Sequence, residues 1–299
     1  MKKKYKNILI LVILLSFLTL NLISIDLVVT KIWEYTLLFI KKIFPVSFIF
    51  ITTSNLLIEY NFIQILQRIF RIKSPYIYIF ILSLICGFPS GAIYTKKLFE
   101  KDMISIDDAN KIIMFSHFPN PLFVINSVGT ILHSKLLALV ILFSIIISNF
   151  FIMILFINKN NKSYLLYKCS KDFSSTLANT ITNTLETIVL IYGISLFFFL
   201  VSVVINNIIN ISYLYVIING LFDLTYGVYS TCILNSVFIK GLLITIFISF
   251  GPISIHFQTK SILANTNVNY KYYLIGRFIC CIISIIIYSL LNGKSNLLL

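Results

Sequence analysis

Residues Leu136 to Ile157 read LLALVILFSIIISNFFIMILFI, with no charge, no proline and no glycine. As a helix the run would be about 33 Å long at 1.5 Å per residue. That matches the roughly 30 Å hydrocarbon core of a bilayer. Four more runs are near this length: Ile8 to Thr30, Leu37 to Ile58, Ile181 to Ile205 and Tyr272 to Leu291. One soluble core cannot hide so much apolar surface. Charged residues make up only 11% of the chain, against about 25% in a soluble domain. The expected fold is an all-α polytopic membrane protein, and 299 residues leave room for about 8–10 transmembrane or half-spanning helices.

The net charge of +14 comes from 24 Lys and Arg against 10 Asp and Glu. These residues stand singly or in pairs beside apolar runs, the pattern of flanking charges that face anionic lipid. They form no basic patch, so nucleic acid is not an expected partner. The start, MKKKYKNILILVILLSFLTL, has a basic end and an apolar run. No alanine precedes Ala92, so it lacks a small-x-small cleavage site. It reads as an uncleaved first transmembrane helix with the N-terminus cytoplasmic. By the same rule the Lys159–Lys171 loop is cytoplasmic and the uncharged Asn206–Ser212 loop lies outside. The topology between Lys73 and Lys135 stays open. Residues 58–76 hold an amphipathic stretch, with Phe62, Ile65, Leu66, Ile69 and Phe70 opposite Gln64, Gln67, Arg68 and Arg71. It reads as an interfacial helix.

Function is sought where the apolar runs are broken. CGFPSGA (Cys86 to Ala92) interrupts one run. Gly87 and Gly91 permit tight turns, Pro89 ends or opens a helix, and Ser90 can cap the outgoing one. Lipid cannot satisfy free backbone groups, so such a break must be covered by protein or line a cavity. A half-helix start can hold an anion; a functionless kink is the plain alternative. FPNPLFVINSVG offers Asn120 and Asn126, whose amides can bind a polar ligand or bridge helices. GLFDLTYG holds Asp223 in an apolar setting, a candidate for cation or proton coupling or a loop aspartate at the headgroups. SFGPISIHFQ offers Ser254, His256 and Gln258, which alternate as on one side of an extended segment. Glu186 is expected to meet Lys240 or Arg277, or to reach the interface. Ser105 and Asp108 mark a helix start.

The order helix, break, helix, break occurs twice, with breaks at 87–91 and 119–126, then at 220–227 and 251–258. Paired interruptions point to a transporter site near the bilayer midplane. The expected division is an N-terminal anchor (1–34), a first repeat (35–157), a cytoplasmic linker (158–180) and a second repeat (181–299). Cys86, Cys169, Cys232, Cys280 and Cys281 show no ligand spacing and read as packing residues. No cofactor or metal is expected. The chain carries no P-loop, HExxH, GxSxG or dinucleotide fingerprint, so an enzyme is not expected.

Taken together, these stretches resemble the sporulation integral membrane protein YlbJ (SpoVV) family, which carries the nucleoside-recognition Gate domain. The matching pieces are Gly87 to Ala92, LFEKDMISIDDANKIIMFS, Pro121 to Val124 with Val128 and Gly129, NGLFDLTYG, SFGPISIHFQ and YKYYLIGRF. They follow the family's order over about residues 35–290. The family's SGP is here Pro119-Asn120-Pro121, its second glycine is here Pro252, and Asp223 stands where glutamate is usual. The resemblance implies two Gate-type repeats with re-entrant helices. It further implies a membrane permease of endospore formers that moves dipicolinic acid across the outer forespore membrane for spore cortex and core maturation. Gly87, Pro89, Ser90, Gly91, Asn120, Asn126, Ser254, His256 and Gln258 are the expected substrate contacts, with Asp223 for coupling. Expected partners are a small anionic substrate and the lipid bilayer, with a homo-oligomer or other sporulation membrane proteins left open. The alternatives are a nucleoside or nucleobase transporter and a non-transporting scaffold of a sporulation complex.

Overall fold

The computed structural model describes residues 2–70, 74–156, 172–209 and 211–292. The Lys159–Lys171 loop and Cys169 lie outside them, as does most of the expected linker. Fifteen α-helices follow one another among the described residues. The first half runs α1 (Lys2–Ile23), α2 (Ile25–Leu38), a π-turn (Phe39–Ile43), α3 (Phe44–Glu59), α4 (Phe62–Phe70), α5 (Pro75–Cys86), α6 (Ser90–Glu100) and α7 (Ile106–Phe115). A second π-turn (Phe123–Val128) leads through α8 (Gly129–Ile131) to α9 (Lys135–Phe156). The second half runs α10 (Phe173–Ile208), α11 (Ser212–Phe222), α12 (Leu224–Ser230), α13 (Val237–Phe250), α14 (Ile253–Ile262) and α15 (Tyr270–Asn292).

Six stretches among the described residues are long and apolar enough to cross a membrane: Tyr5–Ile23, Ile25–Glu59, Lys135–Phe156, Phe173–Ile208, Val237–Ile262 and Tyr270–Asn292. Pro75–Cys86 and Tyr213–Phe222 are shorter apolar helices. The long helices are amphipathic in the inverted sense. On α9, Phe143, Ile147, Phe150 and Ile154 face outward, while Ser144, Ser148 and Asn149 are buried. On α15, Ile275, Phe278, Ile282 and Ile286 are exposed, and Ser284 is buried within 2.9 Å of Ser148. Such surfaces suit lipid as the outer solvent and leave polar groups to hold helices together. The chain is an all-α integral membrane protein.

Helices α3 and α10 each precede a helix–break–helix unit (α5–α6; α11–α12). A second interrupted unit follows (α7 to the π-turn; α13–α14), and then a full span, α9 or α15.

Three expected spans differ in extent. The first run does not continue to Thr30. The Ser24 hydroxyl donates back to the Leu20 carbonyl, its backbone leaves helical geometry, and Asp26 opens the next helix at the favourable dipole end. Ile25 to Glu59 is then one 35-residue stretch, so residues 34 and 35 lie inside a helix. Helix α10 starts at Phe173 rather than Ile181, because the Asp172 side chain caps it from the Ser175 N–H (3.0 Å). Its added first turns bury Thr176 and Thr180, in line with Thr184 of the expected span. In α4 the expected apolar side is outward at Ile65 and Ile69, while Gln64 turns inward and donates to Met103 Sδ at 3.7 Å.

Candidate functional site

Three of the four breaks meet. The Phe88 N–H donates to the Phe118 carbonyl at 2.6 Å, joining 87–89 to 116–120. Gly87 holds φ +75°, and a Cβ there would lie 2.7 Å from the Asn120 nitrogen. Between them, the His117 ring stacks on Phe88 (centroids 4.9 Å apart) and shares a hydrogen bond with the Tyr273 hydroxyl (2.9 Å). Gly251, the third break, reaches the same ring: a Cβ on it would be 3.6 Å from His117 Nε2.

Arg277 closes this knot. It is fully buried. Its Nη2 donates to the Met114 carbonyl (2.7 Å) and to Asn149 Oδ1 (2.8 Å), and its Nη1 donates to the Ser249 carbonyl (3.2 Å). Met114 and Ser249 lie in the last turns of α7 and α13. Their carbonyls lack intrahelical partners and carry the negative ends of two helix dipoles. A guanidinium is suited to bridge them. Among the described residues no carboxylate pairs with Arg277. The expected Glu186–Arg277 pair does not form: Glu186 is exposed on α10 and lines a separate cavity with Lys96 and Lys97, while Arg277 is taken up by the Met114, Ser249 and Asn149 oxygens.

Beside the knot lies a cavity of about 360 Å³. Both π-turns line it, one with Lys41 and Lys42, the other with Asn126 and Ser127. π-turns are rare and gather at functional sites. Asn120 and Thr225 add polar groups, and Phe88 adds an aromatic wall. Among the described lining residues there is no carboxylate. Asn120 Oδ1 accepts from the Leu122 N–H (2.9 Å), which leaves its buried Nδ2 without a partner. Asn120 and Asn126 thus belong to one site.

The other expected contacts are placed differently. Gly91 packs against the Ser116 carbonyl, where a Cβ would come within 1.9 Å. Ser90 does not cap α6. Pro89 occupies the cap position, and the Ser90 hydroxyl is buried in the first turn without a hydrogen bond, beside the Tyr94 hydroxyl. Residues 254–258 are helical rather than extended. Gly251 (φ +88°) ends α13 and Pro252 starts α14, whose backbone groups then pair internally, as burial in a membrane demands. Ser254 and Gln258, four apart, share a buried face. His256 points elsewhere, to the Tyr270 hydroxyl and the Phe250 carbonyl (3.2 Å). Asp223 caps α12 from the Tyr226 N–H (2.9 Å) and accepts from the Tyr35 hydroxyl (2.9 Å). It does not line the cavity, but the first turn of its helix does, through Leu224 and Thr225.

His117, Arg277 and the Lys41–Lys42 pair were not among the expected contacts. A lone arginine in an apolar span and two lysines inside another carry a visible signal, since each is costly in lipid. No protein-family model, no curated protein and no solved structure matches the chain. What the fold and cavity define is a class: an integral membrane protein with broken helices around a cationic, amide-lined cavity.

Proposed function

We propose that the chain is a permease for a small organic anion. The observation that carries this reading is the cavity between the two π-turns, where Lys41, Lys42, Asn120 and Asn126 meet without a carboxylate among the described lining residues. Two cations and amide donors suit a carboxylated solute. A unit charge pair 4 Å apart is worth about 4 kcal/mol at an effective dielectric constant of 20. The resemblance to the sporulation family makes dipicolinic acid the favoured substrate. It also makes the outer forespore membrane the favoured site, and spore cortex and core maturation the role. The protein is then a carrier and not an enzyme.

The test is Lys41→Gln with Lys42→Gln in a deletion strain complemented with the variant. Each lost charge should weaken dipicolinate handling about tenfold, a loss of about 1.4 kcal/mol of binding. Spores should be poor in dipicolinate although the protein stays in the membrane. Liposome uptake of labelled dipicolinate should fall in parallel and resist competition by nucleosides. Normal spore dipicolinate in the double variant would overturn the reading, and competition by nucleosides would reassign the substrate.

A further inference from the structure

A second cavity, of about 440 Å³, lies further along the same helices. On α3 the first cavity is lined by Ser47 and the second by Asn55. Eight residues of helix separate them, about 12 Å. Helix α6 runs alongside α3 in the same sense: Cys86, just before it, lies by the Phe50 carbonyl, Tyr94 meets Ser54, and Lys97 meets Asn55 and Glu59. The first cavity touches Cys86 and Phe88 at the start of this series, and the second touches Lys96 and Lys97 at its end. Helix α14 follows the same direction, from Gly251 beside His117 to Ser261 and Ile262 at the second cavity. Helix α6 therefore runs from one cavity to the other, and α14, which also begins at a break, runs from the His117 knot to the second cavity.

Between the cavities the packing is polar. The Tyr94 hydroxyl donates to Ser54 Oγ (2.6 Å), and Gln258 Nε2 donates to Ser195 Oγ (2.7 Å). Ser54, Tyr94, Gln258 and Ser195 are all buried. The Ser254 hydroxyl, one turn before Gln258 on the same face of α14, is 1% exposed and has no hydrogen-bond partner. An unpaired buried hydroxyl is costly, and a membrane core would be better filled with apolar side chains. A layer of paired and unpaired polar groups placed between two cavities is what a closed aqueous path requires.

We propose that the two cavities are the ends of one translocation path. The Tyr94–Ser54 and Gln258–Ser195 pairs hold it shut, and Ser254 is exposed to water and to the passing anion when they part. The proposal rests on the permease reading and adds its route. The probe is a charged, membrane-impermeant thiol reagent acting on Ser254→Cys, in protein whose five native cysteines have been replaced, reconstituted in liposomes. Gln258→Ala should raise the labelling rate about fivefold, the effect of one hydrogen bond on an opening equilibrium. Ser195→Ala removes the same bond from the other helix and should do likewise, so a fold defect in one variant does not decide the matter. Lipid-facing Ile147→Cys should keep its rate in both backgrounds. Unchanged labelling of Ser254→Cys in both variants, with the protein still folded, would overturn the path. So would an equal rise at Ile147→Cys, which would report general loosening. Labelling does not depend on the anion. Unchanged labelling in folded protein that still carries dipicolinate would therefore overturn the route and spare the permease reading, whereas a responsive path in protein that never carries dipicolinate would sink the substrate reading and spare the route.

Discussion

Gly91→Ala should break the contact between the first two interruptions. A Cβ at Gly91 would stand 1.9 Å from the Ser116 backbone oxygen and 2.8 Å from its carbonyl carbon. Real Cβ contacts keep at least 3.0 Å, so the two backbones must part by about 1.1 Å. Neither can yield cheaply. Gly91 belongs to the first turn of α6, and the Ser116 segment is tied to Phe88 through Phe118 and to Arg277 through Met114. Overpacking of a rigid contact costs about 1–3 kcal/mol and occasionally more, and the upper part of that range is expected here. Gly193→Ala is the control, because a Cβ there meets nothing within 4 Å. Removing a mid-helix glycine should be neutral or stabilise by about 0.5–1 kcal/mol. The assay is thermal unfolding of the purified variants in one detergent. Gly91→Ala should melt well below the parent and Gly193→Ala at or above it. Equal melting of the two alanine variants would refute the reasoning, for it would mean that the broken segments do not need this close approach.

Arg277→Lys should be less stable than Arg277→Met. The lysine keeps a buried cation, but its single ammonium cannot reach the Met114, Ser249 and Asn149 oxygens together, whereas methionine removes the cation and leaves only the acceptors, at about 1–3 kcal/mol each. Melting curves give the order, and near-parent stability in the lysine variant would show that charge alone matters. Ser105→Ala should cost about 1 kcal/mol, since Ser105 and Asp108 form a reciprocal capping box at the start of α7, and amide exchange in that first turn should speed up accordingly.

Much of the scaffold could be read from length and punctuation. The expected spans 136–157 and 272–291 fall within a residue or two of α9 and α15 because each is one apolar run with polar ends. The breaks at Gly87, Asp223 and Gly251 were visible because glycine, proline and a carboxylate are conspicuous in apolar text. The cavity was only half legible. Asn120 and Asn126 stand out as amides, but their partners come from residues 41–42, some eighty positions away, and no local pattern announces that meeting. The alternation of Ser254, His256 and Gln258 misled, because period two is a strand signal only where sheet partners exist. In lipid the backbone pairs with itself, and the same three residues divide between two faces of a helix. His117 was hidden by its neighbours: within SHFPNP the prolines draw the eye, and the histidine's role depends on Phe88, Tyr273 and Gly251 from three other elements.

The π-turn at Phe39–Ile43 has a consequence for chain length. A π-turn holds one residue more than an α-turn, and one residue rotates a helix by about 100°. Upstream, Tyr35 reaches Asp223; downstream, Ser54 and Asn55 reach Tyr94 and Lys97. Deleting a single residue within the turn would leave both halves helical and equally apolar, yet swing one against the other by more than a quarter of a revolution. The phase between these two sets of contacts, and with it the direction in which Lys41 and Lys42 point, is thus a matter of counting. A substitution could be absorbed there more readily than a change of length by one.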